Sequence, residues 1–241
     1  MTPFAEAKDI LMQLTESFDG QDRWYLEALG KALEGHESRI YPELLKVFNP
    51  EGKRADAWDE KLASLVWRLH PPEAVNDLKV RAGSSALNER ERSQALTALA
   101  FINKAEAVKA MIELSRHKEE SISEQATYWL TFRQGNEWYA LWDWDKTGID
   151  LEHERKVAQM KVKRSRVLDD RMPFDERKWN ARDMARDPVG AQMMLGLLAE
   201  DQLPQALYPI VEETLLKNAD PAVQMRAAGF FRKANADKTF S

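Results

Sequence analysis

Two segments of this chain repeat nearly the same text at a fixed distance. Asp187-Pro188 precedes a run holding Gln192-Met193, and Asp220-Pro221 precedes one holding Gln224-Met225, shifts of 33 and 32 residues. Upstream, Leu29, Leu65 and Leu99 close similar apolar stretches at spacings of 36 and 34. A period in the thirties with no sheet signal marks stacked helix pairs. Such units cannot bury their apolar faces alone, so they bury them against neighbours and leave an extended surface. The recurrence specifies an architecture but no chemistry.

Composition agrees with that architecture and removes several functions. The chain has 241 residues, 44% hydrophobic and 31% charged, the mix expected when many two-sided helices each keep a wet face. Glycine and proline number ten each, too few for a sandwich or barrel full of turns. The net charge of −5 gives no reason to expect general binding to nucleic acid or acidic membranes. Cysteine is absent, which excludes disulfides, thiol catalysis, Cys-ligated zinc, iron–sulfur ligation and covalent haem attachment within the chain. Glu6, Lys8, Asp9 and Glu16 interrupt the first eighteen residues, so no signal-peptide core is expected there. No apolar run approaches the roughly 20 residues that span a bilayer.

Apolar residues at steps of three and four predict a first helix from Phe4 to Phe18 and a second from near Asp22 to Gly35. A third helix contains Ile40, Leu44 and Phe48, and a fourth contains Trp58, Leu62, Leu65 and Leu69. Pro71-Pro72 breaks the fourth and starts a fifth. Asn88, with Glu91 three residues on, predicts a capped sixth helix through Leu96 and Leu99. A seventh runs from Ala105 to about Arg116, and an eighth from near Ser121 to Phe132. Short loops between them favour antiparallel neighbours. The span of about 143–187 is densely charged and reads as an insertion, or as a long exposed helix ended by Pro173. Regular helices resume at Pro188, Pro204 and Pro221. The last carries Val223, Ala227, Ala228, Phe230 and Phe231 with no helix after it, so the array is expected to be cut or to dock on a partner.

One string is distinctive: Asp19-Gly20-Gln21-Asp22-Arg23-Trp24-Tyr25-Leu26-Glu27-Ala28-Leu29-Gly30. It resembles the start of the HEAT-like repeat region of large bacterial dehydrogenase-like proteins. Those join a glucose/sorbosone-dehydrogenase-like propeller, helical repeats and a haem-binding cytochrome c domain. The stretch from Gly190 to Ser241, with its tail Lys238-Thr239-Phe240-Ser241, resembles the part leading into the cytochrome module. The chain departs from that family in having no Cys-x-x-Cys-His motif and nothing that reads as a propeller. The resemblance therefore implies a connecting scaffold, periplasmic or otherwise exported in its parent protein, and lends no redox role to any residue here.

Asp143-Trp144-Asp145-Lys146-Thr147-Gly148-Ile149-Asp150-Leu151-Glu152-His153-Glu154 approximates a calcium-binding EF-hand loop. Side-chain oxygens of Asp143, Asp145, Thr147 and Glu154, with the Ile149 carbonyl, would be the ligands. Thr147 and Asp150 depart from the pattern, and an acidic interhelix loop with Asp150 as a cap explains the same residues. Trp138, Tyr139, Trp142 and Trp144 form a possible platform for sugar or peptide, although aromatics at helical steps more often pack inward. The run Lys161 to Arg166, with Arg164 and Arg166, could meet phosphate, yet nearby carboxylates favour an ion-paired wet face. His36, His70, His117 and His153 lack metal-ligand spacing and read as exposed loop histidines. No nucleophile elbow, Walker loop or dinucleotide fingerprint occurs.

These features predict an all-α, right-handed HEAT/armadillo-like superhelix of antiparallel helix pairs over residues 1–241, with a charged insertion at about 143–187. The expected function is a non-catalytic scaffold that links domains or docks a protein partner, without a cofactor. The alternatives are a HEAT-like DNA-glycosylase-type enzyme acting on alkylated DNA, against which the net charge speaks, and a calcium-dependent adaptor.

Overall fold

The computed structural model describes the backbone of residues 4–239 and the side chains of residues 8–232. Among the described residues there are thirteen α-helices and no strand. The chain divides into two compact units, residues 1–151 and 152–241.

The first unit holds α1 (Phe4–Ser17), α2 (Arg23–Ala32), α3 (Glu37–Phe48), α4 (Glu60–Leu69), α5 (Val75–Ala82), α6 (Glu89–Phe101), α7 (Ala105–Leu114) and α8 (Glu120–Gln134). Helices α2, α4, α6 and α8 touch in succession and make one row. Helix α3, through the turn Pro72–Ala74, then α5 and α7 make a second row. Cross-row pairs α3–α4, α5–α6 and α7–α8 close the stack. In the second unit, α10 (Phe174–Arg186) packs on α12 (Tyr208–Leu215), and α11 (Pro188–Ala199) on α13 (Pro221–Thr239). Pairs α10–α11 and α12–α13 complete the same pattern. Each unit is thus an all-α, HEAT/armadillo-like stack of helix pairs.

The recurrent leucines occupy equivalent places in this pattern. Leu29, Leu65 and Leu99 lie on α2, α4 and α6, all buried, and Leu130 continues the series on α8. The recurrent Asp-Pro is a helix start. Asp187 accepts hydrogen bonds from the amides of Val189 and Gly190 at 3.0 and 3.2 Å, and Pro188 fills the first turn of α11. Asp220 accepts from the Ala222 amide at 2.8 Å as α13 begins. One repeat bonds to the next through Arg226, which donates to the Gln192 side chain at 2.7 Å. The Asn88 cap forms with its reciprocal Glu91 partner, and Asp22 and Asp59 cap α2 and α4.

The charged span near 143–187 contains α9 (Leu151–Leu168) and α10, with a break at Pro173. Both helices contribute to a core: Met160 and Val167 from α9, Ala181, Met184 and Ala185 from α10. Their charge lies on the opposite faces, so few large apolar residues sufficed to bury one side of each. Gly190 lets α11 press against α10, because a Cβ there would stand 2.4 Å from the Met184 carbonyl oxygen. In α13, Val223, Ala227 and Phe231 are buried in this core. The side chains of Phe4, Ala7 and the tail Lys238-Thr239-Phe240-Ser241 lie outside the described residues.

Stability should follow neighbour burial. Leu99→Ala and Leu29→Ala should each lower the unfolding free energy by about 2–5 kcal/mol in denaturant titrations, the usual range for a leucine deleted from a packed core. Arg166→Ala should leave it within about 0.5 kcal/mol, since this exposed cation comes no closer than 3.9 Å to Glu176.

Candidate functional site

The row α2–α4–α6–α8 carries a hollow of about 710 Å³ between α2, α4 and α6. That hollow is lined by Arg23 and Leu26 of α2, Glu60, Ser64 and Trp67 of α4, and Arg90, Gln94 and Thr97 of α6. Helical spacing explains the set. Residues 60, 64 and 67, and 90, 94 and 97, each recur every three or four positions and share one face. Apolar positions of the same helices, such as Leu62, Leu65 and Leu96, turn inward. The face toward the hollow is therefore free to be polar, with hydroxyls and an amide on its partly buried floor and two guanidinium groups and one carboxylate at its exposed edge.

One turn further along α4 and α6 the surface becomes aromatic. Thr97 is followed at the fourth position by Phe101, and Trp67 at the third by His70. The His70 and Phe101 rings lie 5.8 Å apart, and Phe101 meets Trp129 of α8 edge-on at 5.9 Å. Trp129 meets Phe132 at 5.9 Å, and Tyr128 stacks on Phe132 at 6.3 Å. Five rings thus cross three successive helices of the row, α4, α6 and α8. Tyr128 is 53% exposed, Phe132 47% and Phe101 45%. Rings of this size normally find a core, and here Ile122, Ala126 and Leu130 already supply the buried stripe of α8.

The ladder has a rigid floor. Arg133 is buried, donates to Asn103 Oδ1 at 2.7 Å, and pairs with Glu137 at 2.7 Å. Its guanidinium lies 5.4 Å from the Phe101 ring centre and 5.8 Å from that of Trp138. At the other end, His70 closes α4 in a left-handed conformation with φ of 36°, its amide donating to the Val66 carbonyl at 2.8 Å. Burial pushes its imidazole below the ordinary value of 6.5, while hydrogen bonds with the backbone at Trp67 and Arg68 pull the other way.

The residues singled out from sequence have other roles. Trp138 is fully buried and donates from Nε1 to the Ile102 carbonyl at 3.1 Å. Trp142 and Trp144 are half-buried against the same core, and Trp144 Nε1 donates to the Tyr139 carbonyl at 3.0 Å. The stretch around them is not helical as its spacing suggests: it forms two 3-10 turns, Tyr139–Leu141 and Trp144–Lys146. Only Tyr139 of this set is widely exposed.

The calcium pattern is occupied by its own loop. Asp143 pairs with Lys146 at 2.7 Å. The Thr147 hydroxyl donates to the Trp144 carbonyl at 2.9 Å and accepts from the Ile149 amide at 3.2 Å. Asp145 is exposed, Ile149 packs on the first unit's core, and Glu154 lies in the first turn of α9. Among the described residues, no group of three or more His, Asp or Glu could hold a metal ion. Of the basic run, Lys163 pairs with Asp183, Arg164 donates to Gln202 at 3.1 Å, and Arg166 faces Glu176. The histidines differ from the expected exposed loops: His36, His70 and His117 are half-buried at helix ends, and His153 lies within α9.

The ladder residues Phe101, Tyr128, Trp129 and Phe132 carry a legible signal. Three aromatics fall within five positions of α8, where one helix face can bury only some of them.

No family model and no curated protein matches the chain. Among solved structures, a designed armadillo repeat protein in complex with the peptide (KR)4 is similar at 17% identity, covering 92% of this chain and 98% of that one, with a TM-score of 0.28. At that level no residue role passes from one to the other. No helix among the described residues is long and apolar enough to cross a membrane.

The ladder should loosen in acid. His70 is harder to protonate in the fold than in the unfolded chain, so its contribution is complete above the unfolded value of 6.5 and is lost as pH falls below it. Thermal midpoints measured from about pH 8 to about pH 5 should show this step, and His70→Gln should remove it.

Proposed function

We propose that this chain is a non-catalytic helical-repeat scaffold that docks a protein partner, with an extended segment of that partner lying on the α2–α4–α6–α8 row. The observation that carries this reading is the exposed aromatic ladder beside a polar hollow. Contiguous apolar exposure of this kind marks interaction surfaces, and aromatic side chains dominate their energetics. Ser64, Gln94 and Thr97 supply hydroxyl and amide groups suited to a peptide backbone, and the ladder supplies area for apolar side chains.

A test begins with peptides selected from a random display library against the whole chain. Tyr128→Ala/Phe132→Ala should raise their Kd by at least about tenfold, a change of about 1.4 kcal/mol. Trp179→Ala, which removes an equally exposed ring from the second unit, should leave Kd unchanged. Selected peptides that bind both variants equally would sink the proposal.

The string Asp19 to Gly30 supports a narrower reading, in which the scaffold is a section of a larger dehydrogenase/cytochrome-like protein. Sequencing of the flanking coding region decides it. A downstream Cys-x-x-Cys-His is expected, and flanks lacking both that motif and a propeller would overturn it.

A further inference from the structure

The cations of the second unit are mostly satisfied. Lys156 pairs with Asp187, Lys163 with Asp183, Arg171 with Asp169, and Lys217 with Glu213. Lys178, Arg182 and Arg186 are different. All three are exposed on α10, and among the described residues none of their side chains makes a hydrogen bond or ion pair. They fall at every fourth position, so they form one stripe. Like charges at this spacing repel and weaken the helix that carries them.

The stripe ends in a hollow of about 480 Å³ between α10 and α12. Arg182, Arg186, Lys217 and Glu213 are its charged lining. The Glu213 carboxylate is engaged by Lys217 at 2.8 Å, which with the fields of Arg182 and Arg186 holds its carboxyl below the usual range. The arginines keep their donors unused. Asp175, at the start of the stripe, is the other exposed carboxylate on this face of α10.

We infer that the outer face of α10, with the hollow beside α12, docks an acidic peptide segment whose carboxylates alternate along an extended chain. Charge and length both fit. Successive stripe cations are separated by a rise of about 6 Å along the helix axis. Alternate side chains of an extended peptide repeat at about 6.6–6.8 Å on one side. Three carboxylates in five residues therefore meet Lys178, Arg182 and Arg186 in turn, and guanidinium forks bind carboxylates in the strongest geometry available to side chains. A nucleic acid carries charge at every phosphate, and the chain's net charge of −5 opposes a long polyanion at range.

The experiment uses the full chain and fluorescence anisotropy with three labelled probes. These are a synthetic peptide of alternating Ser and Glu, the same peptide with Gln for Glu, and a single-stranded oligonucleotide of equal length. The Ser-Glu peptide should bind, weaken with added salt, and lose at least about tenfold in affinity to Lys178→Glu/Arg182→Glu/Arg186→Glu. Arg182→Gln/Arg186→Gln should give a smaller loss in the same direction and serves if charge reversal perturbs folding. Arg171→Glu and Tyr128→Ala/Phe132→Ala should leave the affinity unchanged, which separates this strip from the aromatic row. Equal binding of the Gln peptide, tighter binding of the oligonucleotide, or indifference to the α10 variants would each overturn the inference.

Discussion

Within each unit the stacked helices are buried mainly by a chain neighbour and by the helix two along, and nearly everything else follows from that limit. A single amphipathic helix of ten residues cannot hold itself together in water. Here none has to, because Leu29, Leu65, Leu99 and Leu130 meet the same kind of neighbour in turn. Polar links keep the same range. The Tyr41 hydroxyl donates to Asp77, Lys79 pairs with Glu113 at 2.8 Å, and Trp138 reaches the Ile102 carbonyl, separations of 36, 34 and 36 residues. Burial and the Asp77 carboxylate push the Tyr41 phenol above its ordinary range, so it remains a donor. The stacking rule is therefore written twice, in apolar contacts and in hydrogen bonds.

A helix buried on two sides still has a side left over, and the two units use theirs differently. The first exposes rings on α6 and α8, braced from below by Arg133. The second exposes on α10 cations whose side chains are unpaired among the described residues. The first unit carries 26 carboxylates against 19 lysines and arginines, while the second has 14 against 16. Surfaces of such different charge are suited to different contacts.

Much of the fold was legible because its causes are local. Caps at Asp22, Asn88, Asp187 and Asp220, and breaks at Pro71-Pro72 and Pro173, act within a few residues of themselves. The surfaces were harder to read, because exposure depends on which neighbours arrive. Trp138, Trp142 and Trp144 drew notice by density, yet short 3-10 turns fold them against the core. Tyr128 and Phe132 are marked in sequence only by their crowding with Trp129, and the inward turn of Ile122, Ala126 and Leu130 is what puts them outside. Likewise the basic run 161–166 was conspicuous in sequence, but partners from α10 and the following loops engage Lys163, Arg164 and Arg166. The unpaired cations fall on the next helix, diluted among carboxylates.

The Asp-Pro starts of α11 and α13 have a consequence beyond stability. Asn218 reaches back 33 residues to the Ala185 carbonyl at 2.8 Å, and Arg226 reaches back 34 to Gln192. Contacts of one-unit range are reproduced when a unit is copied. An in-frame duplication beginning at such a boundary brings its own cap, its own core stripe and its own link to the preceding copy. Descent by tandem copying, followed by drift of the outward faces alone, would leave the mark seen here: starts and interiors that still rhyme, and surfaces that no longer do.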